Sequence, residues 1–315
     1  MRLITRDDLD GLRLRQLFYG RAGSGKTRLV GSAAMCEATA PSLMLTIGGN
    51  PVSIRDYPLV PTIIEIGSME DFNLWYDFLA AGQPTSMRVQ TSSGSVKIWD
   101  YLGMTEPFKS LSIDGGTETN LKVFNLILGV TGGEDGDTKV GGMIRMPKDV
   151  VRAYQDNLGT MSYWASHFFS LADKANPVPV HVFMTALERD PSIDMESRSE
   201  KSESVPKNPM SQKYRPAFLG QVVGSIESYA YSVGRLLSVE RFTKRQLAGM
   251  EVPIDSYSVA MFVPSKDHVA KDQYGKLSYL SNPTVEQIYK LVYDNGGQPL
   301  PLPLQLPLQL ERTEA

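Results

Sequence analysis

The chain is poor in the residues that mark several functional classes. It has one cysteine, Cys36, in 315 residues. A single thiol cannot close an internal disulfide, which excludes a disulfide-stapled scaffold and fits a reducing compartment. The three histidines, His167, His181 and His268, are scattered, with no cysteine beside them at the spacing of a zinc site. No apolar run reaches the roughly 18 residues of a membrane span, and the N-terminal stretch lacks a signal-peptide core, so no membrane partner is expected. Neither sign of charge dominates: 32 Lys and Arg stand against 35 Asp and Glu, a net charge of -3. That excludes a chain that is basic throughout, while a local basic surface stays open. What the chain has is apolar content, 42%, and a length sufficient for one large domain or two small ones with a substantial core.

Glycine is clustered at one place. Phe18 to Val30 reads FYGRAGSGKTRLV. Gly20, four residues, Gly25, Lys26 and Thr27 fit G-x-x-x-x-G-K-[ST], the phosphate-binding loop. The flanks agree: Leu14 to Tyr19 alternates like a buried strand, and KTRLVGSAAMCEA is alanine-rich and free of proline, as a helix is. Strand, glycine loop and helix let backbone N–H groups and a helix N-terminus wrap phosphates. The residues expected at a bound nucleotide are therefore Gly20, Arg21, Ala22, Gly23, Ser24, Gly25, Lys26, Thr27 and Arg28. In this pattern Lys26 reaches the β- and γ-phosphates of ATP, and the Thr27 hydroxyl binds Mg²⁺.

Such a loop needs a second anchor for Mg²⁺, an Asp at the end of a neighbouring apolar strand. SLSID supplies Asp114, whose other reading is a strand-end cap for the next helix. Hydrolysis also needs a group that orients or deprotonates water. Glu118, four residues on, is the first candidate; it also fits as a first-turn acid on the helix dipole. Glu65, at the end of another strand, is the second.

Along the chain, Ser42 to Gly49 and Thr62 to Ser68 read as strands, and MEDFNLWYDFLA as a helix capped by Ser68 with Asp71 three residues on. Ser86 to Leu102 reads as a hairpin or an irregular excursion. Phe108 to Asp114 is a strand, Glu118 to Val130 a helix, and Thr131 to Met143 a glycine-rich loop. A long helix follows from Pro147 to about Lys174, then a strand from Val178 to Ala186 and a polar loop from Leu187 to Arg215. YAYSVGRLLSVERF and YSVAMFVPS read as late strands, expected to be antiparallel, and Thr284 to Asn295 as a closing helix. Strands alternating with helices give an α/β fold with a mainly parallel sheet flanked by helices. One domain is expected over 1–297. The segment 298–315 is a Pro/Leu-rich tail, whose prolines forbid a helix.

The order GRAGSGKT, SLSIDGGTE, VFMTALERD, RPAFLGQVVGSIESYAYSVGRLL and VAKDQYGKL resembles the phage-encoded RecA-like AAA/P-loop ATPases of the single-strand annealing and recombination family, over about Leu14 to Leu277. The resemblance implies a RecA-like P-loop core, an ATPase using ATP and Mg²⁺, single-stranded DNA as partner, assembly into a homo-oligomeric ring or filament, and work in the cytoplasm of a bacterial host. It also implies a role for Thr185, whose strand end faces the γ-phosphate in RecA-like sheets; a plain β-branched strand residue is the other reading. Lys271, in AKDQYG, stands where a basic residue reaches the neighbouring subunit's γ-phosphate. Three departures qualify it. Gly115 replaces a serine, Gln273 replaces an arginine, and Gly48, Gly49 and Asn50 stand where RecA carries a glutamate.

RecA-like proteins hold single strands on two loops. The corresponding stretches offer Lys139 and Arg145 in the first, and Lys207, Lys213, Tyr214 and Arg215 in the second, with Tyr214 able to stack on a base. The tail is a further docking segment, for a single-strand-binding protein. Two other readings stay open: a nucleotide or small-molecule kinase using Arg189 and Arg198 in a lid, and a phage assembly or packaging factor for which nucleotide is only a switch.

Overall fold

The computed structural model describes residues 13–48, 51–127, 147–189, 213–219, 221–247 and 250–293. Strand β1 (Arg15–Gly20) leads through the glycine loop into α1 (Lys26–Gly31). The expected first helix continues as a 3-10 turn at Ser32–Met35. There follow β2 (Ser42–Thr46), β3 (Thr62–Glu65), α2 (Met69–Ala80), β4 (Arg88–Thr91), β5 (Gly94–Lys97), α3 (Ile98–Leu102) and β6 (Ser110–Asp114). Then come α4 (Gly116–Ile127), α5 (Pro147–Ser170), β7 (His181–Arg189), β8 (Arg215–Pro216) and α6 (Val222–Tyr229). The last elements are β9 (Ser232–Leu247), β10 (Met250–Met261), β11 (Lys271–Asp272), β12 (Tyr279–Ser281) and α7 (Val285–Tyr293).

The central sheet runs β12-β10-β9-β1-β7-β6-β2-β3. The strands from β9 to β3 are mutually parallel; β10 and β12 continue antiparallel, with β11 on β9 and β8 on β7 also antiparallel. This is an α/β fold with a mainly parallel sheet. Period-two alternation splits β1 between two cores. Leu17 and Tyr19 join Leu45, Ile113 and Met184 beneath Phe72 and Trp75 of α2 and Phe168 of α5. Phe18 joins Met44 and Phe183 on the other face, against Leu29 and Val30 of α1 and Ile288 of α7. Burial on both faces explains the near-continuous apolar run of β1.

Local sequence chemistry sets the helix starts. Ser68 accepts from the Asp71 N–H at 3.2 Å, and the Asp71 carboxylate accepts from the Ser68 N–H at 2.8 Å, a closed capping box. The start of α7 repeats it, with Thr284 accepting from the Gln287 N–H and the Gln287 side chain accepting from the Thr284 N–H.

Of the two readings of Ser86 to Leu102 the hairpin is the one present, β4 on β5, followed by the short α3. Two differences from the expectations have physical causes. The strand ending at Ala186 runs on to Arg189, because Arg215 and Pro216 come back to pair with Arg189 and Glu188 and give its last residues a ladder. The expected loop therefore begins later and its end is a strand. The expected strand from Tyr229 begins at Ser232, since the preceding VVGSIESY forms α6. Val222, Val223 and Ile226 are buried there, so tertiary burial overrides a stretch that Gly224 and two serines make look like a turn. Segments 128–146, 190–212 and 294–315 lie outside the described residues, and with them most of the two expected loops and the whole Pro/Leu tail.

Candidate functional site

The site forms where β1, β6 and β7 end side by side. In register, Gly20 lies beside Leu187, and Asp114 beside Thr46. Strand β7 stands between the glycine-loop strand and the Asp114 strand, so Thr185, one position on from the residue opposite Ile113, lies between them. A cavity of about 330 Å³ opens here. Ala22, Gly23, Lys26 and Thr27 bound it on one side, Asp114, Glu118 and Thr185 on another.

Asp114 is the hub. Its Oδ2 accepts from the Thr27 hydroxyl at 2.8 Å, and its Oδ1 from the Thr185 hydroxyl at 2.6 Å. Thr185 Oγ1 in turn accepts from the Gly115 N–H at 3.1 Å. The Lys26 ammonium donates to the Gly20 and Arg21 carbonyls, 2.8 Å each. Burial lowers its pKa, while the charges of Asp114, Glu118 and Glu188 pull the other way. Gly115 has φ +115°, a backbone where a side chain is strained. The departure from the serine of the resembling family thus sits at a position whose local geometry favours glycine.

Beside this open cluster is a closed one. The Glu188 side chain is 1% exposed; Arg235 donates to it at 2.6 Å and Arg21 lies 3.5 Å away. The Arg235 guanidinium is 4.0 Å above the Tyr214 ring. The Tyr19 hydroxyl points at the carbonyls of Tyr214 (3.1 Å) and Val269 (2.5 Å). No local pattern marks Arg235, which lies 47 positions from Glu188. Thr117 was also missed: its hydroxyl accepts from the Leu187 N–H at 2.9 Å and ties β7 to the first turn of α4. Thr46 and the rim residues Pro51, Val52 and Ser53 are among the other omissions. A polar residue at the end of β2 was the one available signal.

The other expected residues fall as follows. Ala22, Gly23, Lys26, Thr27, Asp114, Glu118 and Thr185 line the cavity together. Gly20, Arg21, Ser24 and Gly25 belong to the loop behind it, and Ser24 is 2% exposed. Arg28 turns outward, its guanidinium 5.4 Å from the Tyr57 ring. Glu65 is exposed on β3, two strands beyond β6, and does not line the cavity. Lys271 is remote within this chain. It pairs with Val233 near the start of β9, while Leu236, three residues further along, lies beside Gly20. Its ammonium donates to the Glu227 and Ala230 carbonyls at the end of α6.

Of the expected DNA contacts, Lys139, Arg145 and Lys207 lie outside the described residues. Lys213 donates to the Ser265 carbonyl at 2.9 Å, Tyr214 lies under Arg235, and Arg215 opposes Arg189 in the β7–β8 ladder. Arg198 also lies outside the described residues.

Among the described residues, no three His, Cys, Asp or Glu side chains cluster as a metal site, and no helix is long and apolar enough to cross a membrane. Asp114 and Thr27 offer two hard oxygen donors, which fits Mg²⁺, an ion that keeps several waters and takes its remaining ligands from substrate phosphates. No protein-family model matches the chain, and no curated protein matches it.

Proposed function

We propose that the chain is a Mg²⁺-dependent ATPase with a RecA-like P-loop core that acts on single-stranded DNA in recombination or annealing. One observation carries the nucleotide part: the hydrogen-bonded chain Thr27–Asp114–Thr185 at the mouth of a G-x-x-x-x-G-K-T loop. Chance glycine turns have no reason to align with an acid two strands away. Thr27 and Asp114 would hold Mg²⁺, which supplies positive charge against the β- and γ-phosphate oxygens. Lys26 would turn from the Gly20 and Arg21 carbonyls to the phosphates. Glu118, in the cavity wall, would orient or deprotonate the attacking water. The bond from Thr185 to Asp114 supports the RecA-like reading of the core, in which a polar residue on this strand faces the γ-phosphate.

The DNA part rests on the sequence resemblance and on one structural fact. The excursion from Arg189 to Arg215 leaves and returns at the same place, because its ends pair with each other four residues beyond Thr185. A connection anchored at both ends on a rigid scaffold is placed as binding segments commonly are. The test is ATP turnover with Mg²⁺, with and without single-stranded DNA, in the parent chain and in Lys26→Ala. DNA-stimulated turnover lost in Lys26→Ala is the expected result. Turnover that requires a small phosphoryl acceptor would turn the reading to a kinase, and tight ATP binding without turnover to a nucleotide-switched assembly factor. Failure of the parent to bind ATP by calorimetry would sink all three.

A further inference from the structure

Strand β3 ends the sheet, and no strand pairs with its outer side among the described residues. Its hydrogen-bonding direction is fixed by the next residue. The Ile66 N–H donates to the Thr46 carbonyl of β2 at 2.9 Å. With a period of two, Thr62 and Ile64 also face β2, and the N–H and C=O groups of Ile63 and Glu65 face outward. The same border is apolar. Leu59 is 60% exposed, Val60 51% and Ile63 39%, while Ile64 packs against the core under α2. An open edge with exposed aliphatic side chains is a pairing template that proteins ordinarily cover. The edge at β12, three residues long, carries no exposed large apolar side chain.

The chain contains a segment whose covalent pattern suits that edge. Every even position from Leu300 to Leu310 is leucine, and the odd positions are Pro299, Pro301, Pro303, Gln305, Pro307 and Gln309. Proline has no N–H. Laid along a strand, this pattern has all its leucine N–H groups on one side and prolines at most positions on the other. It can pair with one neighbour and refuses a second, the property of an outermost strand.

We propose that residues from about Leu302 to Leu310 cover the outer edge of β3 in the same chain, as one more parallel strand. The face follows from the pairing. Residues that donate to β3 lie in register with Thr62 and Ile64, so the leucines extend the core under α2 and the prolines fall on the opposite face with Ile63. The reach fits as well. Helix α7 ends at Tyr293, whose ring is 6.3 Å from that of His181, the first residue of β7. From β7, past β6, β2 and β3, to an added strand is about four spacings of roughly 4.8 Å, near 19 Å. The eight residues 294–301 span up to about 27 Å. The segment arrives at the end of the sheet where β7 begins, and therefore runs in the direction of β3.

Amide hydrogen exchange of the full chain, read at Ile63 and Glu65, tests this. Both outward amides should exchange about tenfold or more slower in the parent than in Leu304→Pro/Leu306→Pro, which removes two donors facing β3 and touches no residue of the fold. Pro303→Leu should leave the protection unchanged, since that position faces away. Dilution should leave it unchanged too. Equal, fast exchange in parent and double variant would overturn the proposal. Protection that persists in the double variant, that disappears on dilution, or that needs a second protein would overturn it equally, by assigning the edge to another occupant.

Discussion

Two carboxylates stand close together at the ends of the parallel strands, and they are held by opposite means. Asp114 is partly open to the cavity and accepts from two neutral hydroxyls, those of Thr27 and Thr185. Glu188 is buried and lies between the guanidiniums of Arg235 and Arg21. A neutral hydrogen bond contributes about 1 kcal/mol net and can be exchanged for a better partner. A buried ion pair cannot be opened without leaving a desolvated charge. Asp114 is thus free to exchange its partners, as the proposed Mg²⁺ ligand would have to, while Glu188 is held to its own. Glu188 fastens β7, β9 and the returning segment at Tyr214 beside the cavity that Asp114 lines.

The largest expected effect breaks the closed cluster. Arg235→Ala leaves Glu188 buried beside only the loosely placed Arg21 and should cost about 3–5 kcal/mol of stability in urea unfolding. Pairing it with Glu188→Leu should restore most of the loss. If Arg235→Ala is within about 1 kcal/mol of the parent, the two acids are not held differently. Next, Asp114→Asn should weaken ATP binding in Mg²⁺ by about 100-fold, close to 2.7 kcal/mol, with little change in metal-free binding. Equal losses in both conditions would make Asp114 a structural cap. Thr185→Val should cost about 1–2 kcal/mol of stability, because the Gly115 N–H loses its acceptor and Asp114 a donor. Its effect should be coupled to that of Asp114→Asn in a double-mutant cycle; strict additivity would separate β7 from the site.

The last effect concerns pH. Burial lifts the Glu227 carboxyl from 4.5 to about 7, with Arg215 and then Lys271 pulling it down. The folded chain thus holds a proton between those values that the unfolded chain has released. Glu227 therefore makes stability fall as pH rises from about 4.5 to 7, and its contribution is level above. His181 has the opposite sign. Burial and, less, Arg13 lower it from 6.5 to about 3, and its Nδ1 accepts from the Leu14 N–H, so its contribution is lost as pH falls below 6.5. The check is a difference: Glu227→Gln minus parent should lose the falling part of the curve, and identical curves would show that Glu227 titrates alike folded and unfolded.

What could be read in advance was whatever the chain encodes within a few residues. The glycine loop between strand and helix, the Ser68–Asp71 cap and the strand ending in Asp114 are all short-range patterns, and each element is there. What was missed depends on register. Thr46 enters the cavity because β2 lies beside β6 in a register that sets it next to Asp114, and Arg235 meets Glu188 because β9 and β7 both flank β1. Helix α6 was hidden for a related reason, since its three buried residues are stabilised by partners far away in sequence. Glu65 misled in the reverse direction: a polar strand end looks the same from sequence whether the strand is central or outermost.

The long strand β9 has a mechanical consequence. Its 16 residues make an arm of about 53 Å, of which only Ser232–Leu236 lies against β1. The remainder pairs with β10 as a projecting lever. The lever is clamped at Leu236, and there it touches the first glycine of the loop: a β-carbon at Gly20 would stand 2.3 Å from the Leu236 carbonyl oxygen. The base of the arm and the first glycine of the loop are thus in direct backbone contact, so a side chain at Gly20 would have to displace β9 itself.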